Sequence, residues 1–387
     1  MTALDEQVPV TAWSDVDGLV ADAVRQSLDG GQELGVQVAV VVGGRVAAHV
    51  VGGFADPARR TAVTTDSLFP VFSATKGVVA AACLAALDAG ALKLDEPAAR
   101  IWPAIAAAGK DRLTLRHILT HTAGVPHMPD GTTVETMCDW DAMASAVAAL
   151  EPLWEPGSTV AYHAYTYGWL TGELLRRVDG SGRGVDAIVR SAVGAHDFFL
   201  GLPPEHDHRV VELVAIQGRE REDPGGLYRR AIPQHLDTGP EVYGRADVRR
   251  ACLPGAGALG TALALAGIYD RLSRAEPGSW TARALSIWDE RHDAVMGREV
   301  PRGLGFWVSG STRSPQAMPL HGGYGRFGHP GAGGSIAWAD AGLGAGFAVL
   351  RNRLTPEGWK DASMQRIANA AIAAARSVRG HSKETSP

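Results

Sequence analysis

The stretch "LFPVFSATKGVVAAACLAALDAG", residues 68–90, joins a short turn to an apolar run that is long enough for a helix. After Lys76 the side chains are apolar nearly all round a helical wheel, which predicts a helix that is buried on all sides. Gly90 is suited to end it, because glycine adopts the backbone conformation common just beyond helix C-termini. Ser73 and Lys76 thus stand at the beginning of an interior helix, and we expect the lysine to be drawn inward with it.

Patterns on either side of this helix predict the fold class. An opening helix, capped by Ser14, precedes a hairpin over residues 35–53, where two valine-rich runs flank Gly43-Gly44. Short glycine-flanked strands return after residue 300, followed by a closing amphipathic helix, whereas the middle of the chain is mostly helical. We therefore predict an α/β (α+β) fold with an antiparallel sheet flanked by helices, built from both termini around an inserted helical domain.

The length of 387 residues is typical of two domains, or of one domain with a large insertion. We expect residues 1–75 and 300–387 to form the α/β domain. Residues 76–299 are expected to form the mostly helical domain. Within it, the polar, proline- and glycine-bearing residues 196–250 predict a loop-rich lid.

Composition excludes several classes of function. A net charge of −5 and a pI near 6.2 argue against a general affinity for nucleic acid or anionic membranes. The N-terminus lacks the apolar core of a secretory signal, no apolar run is long enough to span a bilayer, and the three cysteines have no CxxC spacing. We expect a cytoplasmic protein without a metal, an organic cofactor, a nucleic-acid partner or a membrane partner, and the sequence leaves its oligomeric state open.

The spacing of Ser73 and Lys76 indicates nucleophilic catalysis. Residues three apart on a helix share a face, so the lysine amine can reach the serine hydroxyl. A neutral amine can accept the hydroxyl proton, and burial favours that neutral form, whereas an arginine would stay protonated. The alternative is a plain helix cap with a solvated lysine, since about one such spacing is expected by chance in a chain of this length. Against it, none of the other four lysines follows a serine at this distance.

Two further stretches could complete such a site. Tyr162, Tyr165 and Tyr167 follow a Trp-x-Pro-Gly turn, and a tyrosine beside a lysine ammonium would have its phenolate favoured and could act as a general base. The alternative is that these rings only pack. The segment from His329 to Gly334 is rich in glycine beside a strand, where backbone can approach a ligand closely, although a hairpin turn explains the same residues.

Four motifs in order resemble the serine β-lactamase-like superfamily, and its class C-type branch above all, which includes bacterial esterases and transesterases. The resemblance covers roughly residues 15–375 and rests on these stretches: "FSATKG", "LTLRHILTHTAGVP", "LWEPGSTVAYHAYTYGWLTGELLRRVDG" and "RFGHPGAGGSIAWAD". It implies a β-lactamase or penicillin-binding-protein-like fold, with the site in the groove between the two domains.

The resemblance also implies roles for individual residues. Ser73 would be the acylated nucleophile, Lys76 its partner, and Tyr162 the tyrosine of the Tyr-x-Asn motif. The segment from His329 to Gly331 would match the Lys-Thr-Gly strand. The oxyanion hole would then be the backbone N–H groups of Ser73 and Ala332.

Two departures from the family pattern make efficient β-lactam hydrolysis doubtful. Ala164 stands where the penicillin-directed members carry Asn, and His329 stands where they carry Lys. A neutral histidine attracts a carboxylate far less than a lysine does. Substitutions of this kind resemble the esterase and acyltransferase members instead.

Other motifs are interpreted as structural. "GAGALG", Gly255–Gly260, has the spacing of a dinucleotide loop but no preceding strand or βαβ unit. Ser335 lacks the final glycine of a nucleophile elbow. The histidines at 117, 121 and 127 lack the glutamate of a metalloprotease helix and are expected to bond loop backbone, and "EHDHR", residues 205–209, is expected to be a solvated loop.

The predicted function is serine-dependent acyl transfer through a covalent acyl-enzyme. The substrate would be a small-molecule ester or amide, and the acyl group would pass to water or to an alcohol or amine acceptor. The alternative from another class is a catalytically silent binding or assembly protein on the same scaffold.

Overall fold

The structure is a computed structural model that describes residues 8–12, 17–215, 226–311 and 325–384. Ser14, the predicted cap of the first helix, lies outside these residues. The helices are α1 Asp17–Asp29, α2 Thr75–Asp88, α3 Leu115–Leu119, α4 Val134–Met137, α5 Trp140–Ala149, α6 Thr166–Asp179, α7 Val185–Val193, α8 Leu227–Ala231, α9 Pro240–Tyr243, α10 Ala246–Arg250, α11 Ala262–Ser273, α12 Trp280–Ala284 and α13 Ala362–Glu384. The strands are β1 Val10–Ala12, β2 Gly35–Val42, β3 Arg45–Gly53, β4 Phe69–Pro70, β5 Phe198–Phe199, β6 Val214–Ala215, β7 Leu259–Gly260, β8 His292–Asp293, β9 Arg298–Glu299, β10 Trp307–Val308, β11 Arg326–Pro330, β12 Ile336–Asp340, β13 Ala345–Arg351 and β14 Arg353–Leu354.

Strands from both ends of the chain form one seven-stranded sheet in the order β1-β3-β2-β13-β12-β11-β10. Every neighbouring pair in it is antiparallel. The predicted hairpin is confirmed, and its turn uses Gly43 and Gly44 at φ 58° and 82°, values that side chains disfavour. The antiparallel sheet built from both termini is therefore as predicted.

Helices cover both faces of the sheet. In β2, Val36, Val38 and Val40 pack into the apolar layer beneath α1 and α13, whereas Ala39 and Val41 face the other layer. This alternation follows from the two-residue period of a strand. On the second face α11 lies against β2, β12 and β13.

The position of α11 bears on the predicted division of the chain into an α/β domain and a helical domain. Its approach to the sheet is so close that a Cβ on Gly346 would lie 2.1 Å from the Ala266 carbonyl oxygen. α11 belongs to the predicted helical segment 76–299, yet it packs on the sheet. The division into residues 1–75 with 300–387 and residues 76–299 stays a proposal.

Helix α2 is the interior helix that its composition predicted. It packs against α6, α7 and α12, and most of its side chains are buried, Lys76 among them at 0% exposure. Gly90 just beyond it has φ 73° and donates to the carbonyl of Leu87. The lysine is thus fixed in the middle of the molecule by the apolar helix that carries it.

The predicted lid region, residues 196–250, is structured in its described parts and contains short helices α8, α9 and α10. Residues 216–225 lie outside the described part of the chain. Its buried side chains include Leu200, Val211, Leu236 and Tyr243. The segment therefore packs on the body of the molecule, and its role as a lid stays a prediction. Within the described residues, no helix combines the length and apolarity needed to cross a membrane.

Candidate active site

Ser73 sits in a strained turn between β4 and α2. A 3-10 helix over Phe72–Ala74 leads directly into α2, and Phe72 has φ 46°, a value that a bulky side chain rarely adopts. The Phe72 ring is fully buried and packs edge-on against Tyr243, with ring centroids 5.2 Å apart. Packing of this kind holds the strained backbone in place, and such strain is frequent at functional sites.

The Lys76 amine has three polar neighbours. Its Nζ lies 3.2 Å from Ser73 Oγ, 2.7 Å from the Ala164 carbonyl oxygen and 2.6 Å from the Gly255 carbonyl oxygen. The structure thus brings the serine and the lysine together, as their spacing predicted, and adds two backbone acceptors.

Burial lowers the pKa of Lys76 well below its ordinary value of 10.5. A neutral amine has two N–H groups and one lone pair. When the two carbonyls of Ala164 and Gly255 accept the N–H groups, the lone pair is left for the Ser73 hydroxyl proton. This arrangement suits Lys76 to act as a general base toward Ser73.

Gly255 is a functional residue that the sequence analysis missed. The "GAGALG" segment to which it belongs runs beside the nucleophile turn, where Val71 N donates to the Ala258 carbonyl at 2.9 Å and β4 pairs with β7. Helix α6 lies directly against it, because a Cβ on Gly168 would be 2.2 Å from Gly255 N. The contribution of Gly255 is a backbone carbonyl, which no side-chain motif reveals.

Tyr162 lies beside both members of the pair. It lines the same cavity as Ser73, whose side chain lowers the pKa of the tyrosine, and Lys76 Nζ lies 4.8 Å from its ring centroid. Burial raises the pKa of Tyr162, and the Ser73 side chain offsets only part of that effect. Burial thus lowers the pKa of the Lys76 amine and raises that of Tyr162, so neither shift favours a phenolate beside an ammonium, and the part that Tyr162 plays in proton transfer stays a prediction.

The other two tyrosines of the cluster have structural partners. Tyr165 donates its hydroxyl to the Leu236 carbonyl, and Tyr167 donates to the Lys76 carbonyl at 3.4 Å. Burial raises the pKa of both. Tyr162 is thus the tyrosine that the structure places next to Ser73.

The glycine-rich stretch forms a turn opposite Ser73. Gly331 N donates to the Ser335 carbonyl at 2.7 Å, and Ala332 begins a 3-10 turn over Ala332–Gly334. The first N–H groups of such a turn have no acceptor within it and can donate to a ligand. Both Gly331 and Ala332 line the cavity that contains Ser73.

His329 is placed differently from the prediction that it would bind substrate. Its ring is 1% exposed and, among the described residues, stays outside the lining of the cavity. Its Nδ1 lies 2.8 Å from the Pro330 carbonyl, which assigns the proton to Nδ1, and burial lowers the pKa of the ring well below its ordinary value. The ring packs behind Trp307, with ring centroids 5.6 Å apart, and the predicted contact of His329 with substrate stays a prediction.

The cavity in front of Ser73 has a volume of about 490 Å³. Its walls come from the lid region, the glycine-rich turn and the loop before α13, and many of them are aromatic or apolar. The aromatic and apolar lining residues include Tyr162, Tyr165, Tyr228, Ile232, Met296, Trp307 and Trp359, and charged side chains line the cavity at Asp237, Arg298, Glu357 and Lys360. Such a lining suits a small organic molecule with an apolar part.

Two of the motifs interpreted as structural depart from that interpretation: "GAGALG" supplies the Gly255 carbonyl beside Lys76, and the buried Nδ1 of His127 has no hydrogen-bond partner among the described residues. The others have the expected placement, with one exception in backbone structure. His117 Nδ1 accepts from Thr114 N at 3.3 Å and His121 Nδ1 accepts from His163 N at 3.1 Å, so both bond loop backbone. Ser335 is fully buried between strands. The predicted solvated loop at 205–209 is instead a 3-10 helix, Pro204–Arg209. Across the described ranges, no cluster of His, Cys, Asp or Glu could hold a metal ion.

Comparisons with known proteins match most of the chain. A family model described as Beta-lactamase matches residues 20–371. The chain is 30% identical to "Esterase/beta-lactamase LipL" of Mycobacterium tuberculosis, over 83% of this chain and 77% of that protein. It is 28% identical to "Esterase EstB" of Burkholderia gladioli, over 88% of this chain and 93% of that one. The crystal structure of a family VIII carboxylesterase superposes with a TM-score of 0.84 at 26% identity, covering 95% of this chain and 100% of the other.

Proposed function

This chain belongs to the Beta-lactamase family, and within that family we propose that it is a serine hydrolase that cleaves small-molecule esters through an acyl-enzyme on Ser73. The observation that carries the proposal is the buried amine of Lys76, 3.2 Å from Ser73 Oγ with two carbonyls beside it. Relatives named as esterases support the ester as the substrate class.

In the proposed first step Lys76 Nζ takes the proton of the Ser73 hydroxyl while Oγ attacks the ester carbonyl carbon. The carbonyl electron pair moves onto oxygen, which the N–H groups of Ser73 and Ala332 stabilise. When the C–O bond to the alcohol breaks, Tyr162 gives its hydroxyl proton to the leaving oxygen and regains one from the Lys76 ammonium. The products of this step are the alcohol and an ester of Ser73.

The second step repeats the first with water in place of serine. Lys76 Nζ takes a proton from water while the water oxygen attacks the acyl carbon. When the bond from that carbon to Ser73 Oγ breaks, Tyr162 gives its proton to Oγ and regains one from the Lys76 ammonium. The carboxylic acid is released and the Ser73 hydroxyl is restored. An alcohol or amine that occupied the place of this water would yield a new ester or amide instead. Transfer to such an acceptor is the finer form of the proposal, and added acceptors that change the product would support it.

The departures at Ala164 and His329 bear on substrate choice. Neither residue offers the side-chain amide or the ammonium with which a β-lactam's amide and carboxylate would be held. The aromatic lining from Tyr165, Tyr228 and Trp307 instead favours an ester with an apolar acyl or alkyl group. We propose that p-nitrophenyl butyrate is turned over far faster than a chromogenic cephalosporin.

The test is turnover of p-nitrophenyl butyrate, together with labelling by a fluorophosphonate, in the wild type and in Ser73→Ala. The proposal expects both in the wild type and neither in the variant. A wild-type protein that is folded yet neither turns over esters nor becomes labelled would favour the alternative, a silent binding protein on this scaffold.

A further inference from the structure

A buried carboxylate stands behind the candidate proton relay and has no part in the steps above. Asp293, at the end of β8, is 0% exposed, and its Oδ1 accepts three backbone N–H groups. They belong to Tyr162 at 3.1 Å, Val295 at 2.9 Å and Met296 at 2.8 Å. Its Oδ2 forms an ion pair with Arg302, which is 1% exposed.

These bonds join two walls of the cavity. Tyr162 carries the hydroxyl beside Ser73, and Met296 lines the cavity from the turn between β8 and β9. One oxygen atom holds the backbone of both, so the distance between the tyrosine and that wall depends on Asp293. A second bond, from Ala294 N to the Val160 carbonyl at 2.9 Å, ties the same two segments together.

The segment that carries Tyr162 is held on its other side as well. Ala161 N donates to the His121 carbonyl at 2.9 Å, and His163 N donates to His121 Nδ1 at 3.1 Å. Each residue from 160 to 163 therefore has its backbone tied to a segment remote in sequence. Asp293 supplies the bond at the tyrosine itself.

Resting on the proposed function, we infer that Asp293 is a positioning residue that sets the place of Tyr162 relative to Ser73 and the cavity wall. Arg302 balances the buried charge that this role requires, because an unpaired carboxylate in the interior would be strongly disfavoured. The pair also acts on the tyrosine electrostatically: the Asp293 charge raises the pKa of Tyr162 and the Arg302 charge lowers it. Replacement of one member alone should therefore shift the pKa of Tyr162.

Two double variants separate hydrogen bonding from charge. D293N/R302M retains an oxygen acceptor for the three N–H groups without any buried charge, whereas D293A/R302M has neither. We expect kcat/KM for p-nitrophenyl butyrate to fall about 100-fold in D293A/R302M, the cost of a small misplacement at a reacting centre. In D293N/R302M, kcat/KM should stay within about tenfold of the wild type, because hydrogen bonds to the neutral Asn oxygen are weaker than those to a carboxylate but keep the same geometry.

The matched control is Asp340→Asn, which removes a carboxylate from another buried pair of the same kind. Asp340 pairs with Arg326 at 2.9 Å and accepts from Leu343 N at 3.0 Å, at the end of β12 away from Tyr162. We expect wild-type kcat/KM for this variant. A loss equal to that of D293A/R302M would mean that any damaged pair has the same effect and would overturn the inference.

The single variant D293N supplies a measurement that a purely structural role would not move, and D293N/R302M, which leaves no unpaired buried charge, serves if D293A/R302M fails to fold: a loss of about 100-fold in it would contradict the inference. With Arg302 no longer balanced, the pKa of Tyr162 should fall, so the alkaline limb of kcat/KM should shift to lower pH and return in D293N/R302M. An unshifted limb, or D293A/R302M with wild-type kcat/KM, would contradict the inference. Absence of turnover in the wild type would instead refute the proposed function itself.

Discussion

Gly168 offers a sharp test of how the Lys76 amine is held. A Cβ at this position on α6 would lie 2.2 Å from Gly255 N and 3.0 Å from Gly255 Cα, where ordinary contact begins at 3.4 Å. Because the opposing atoms are backbone, the helix or the Gly255 segment has to retreat by about 1.2 Å. A retreat of the Gly255 segment would move its carbonyl, now 2.6 Å from Lys76 Nζ, out of hydrogen-bonding range, and a retreat of α6 would do the same to the Ala164 carbonyl just before that helix, now 2.7 Å from the amine.

We predict two consequences for Gly168→Ala. The free energy of unfolding should fall by about 2–4 kcal/mol, which combines overpacking of about 1–3 kcal/mol with the net loss of one hydrogen bond. The rate of Ser73 labelling by a fluorophosphonate should fall about 100-fold, since the amine is no longer aligned with the hydroxyl. Urea unfolding and labelling followed by intact mass measure the two effects separately.

The matched control is Gly267→Ala in the interior of α11. Its added Cβ would meet Arg271 Nη1 at 3.7 Å, an ordinary contact, so the substitution should stabilise the protein by about 0.5–1 kcal/mol and leave labelling unchanged. If Gly168→Ala matched this control in both stability and labelling rate, the proposed link from α6 through Gly255 to the amine would be refuted.

Three further predictions concern single side chains. Tyr162→Phe should lower ester turnover by about 10²–10⁴-fold. The loss should be greater for alkyl esters than for nitrophenyl esters, because an alkoxide is a poor leaving group and depends more on protonation. Equal losses for both esters would argue against Tyr162 as the proton donor to the leaving group. Lys76→Arg should abolish Ser73 acylation because a guanidinium keeps its proton, whereas Lys93→Arg on the surface should not; acylation retained in the first variant would exclude Lys76 as the base. Burial raises the pKa of Glu33 from 4.5 to about 7, and the charge of Arg351 offsets only part of that effect. The folded state therefore binds this proton more tightly than the unfolded state, and the resulting stability is present at low pH and lost as the pH rises through about 7. Glu33→Gln should remove this dependence, worth up to about 3 kcal/mol, from urea midpoints measured between about pH 5 and 7, and parallel curves for the two proteins would contradict it.

The parts of the fold that the sequence predicts are those set by local patterns. The hairpin turn at Gly43-Gly44 and the burial of α2 follow from period and composition over a few residues. Local patterns do not predict the packing of α11 on the sheet, because this packing depends on contacts with β13, far along the chain.

In the candidate site, too, local contacts follow from the sequence and contacts between distant segments do not. Ser73 and Lys76 are three residues apart, so their approach follows from helix geometry alone. The carbonyls of Ala164 and Gly255 come from distant segments and belong to the backbone, which leaves no side-chain pattern to find. The protonation of Tyr162 and the burial of His329 depend on exclusion of water by surrounding chain, and a motif carries no information about that.

The central claim is that Lys76 is neutral when Ser73 reacts, and the pKa of its amine tests this most directly. The chain has only five lysines, so labelling with ¹³C at lysine Cε yields few resonances, and the one missing from Lys76→Met identifies Lys76. We predict that this resonance titrates well below the ordinary lysine value of 10.5. A Lys76 amine that stays protonated up to about pH 10, as a solvated lysine does, would contradict the account.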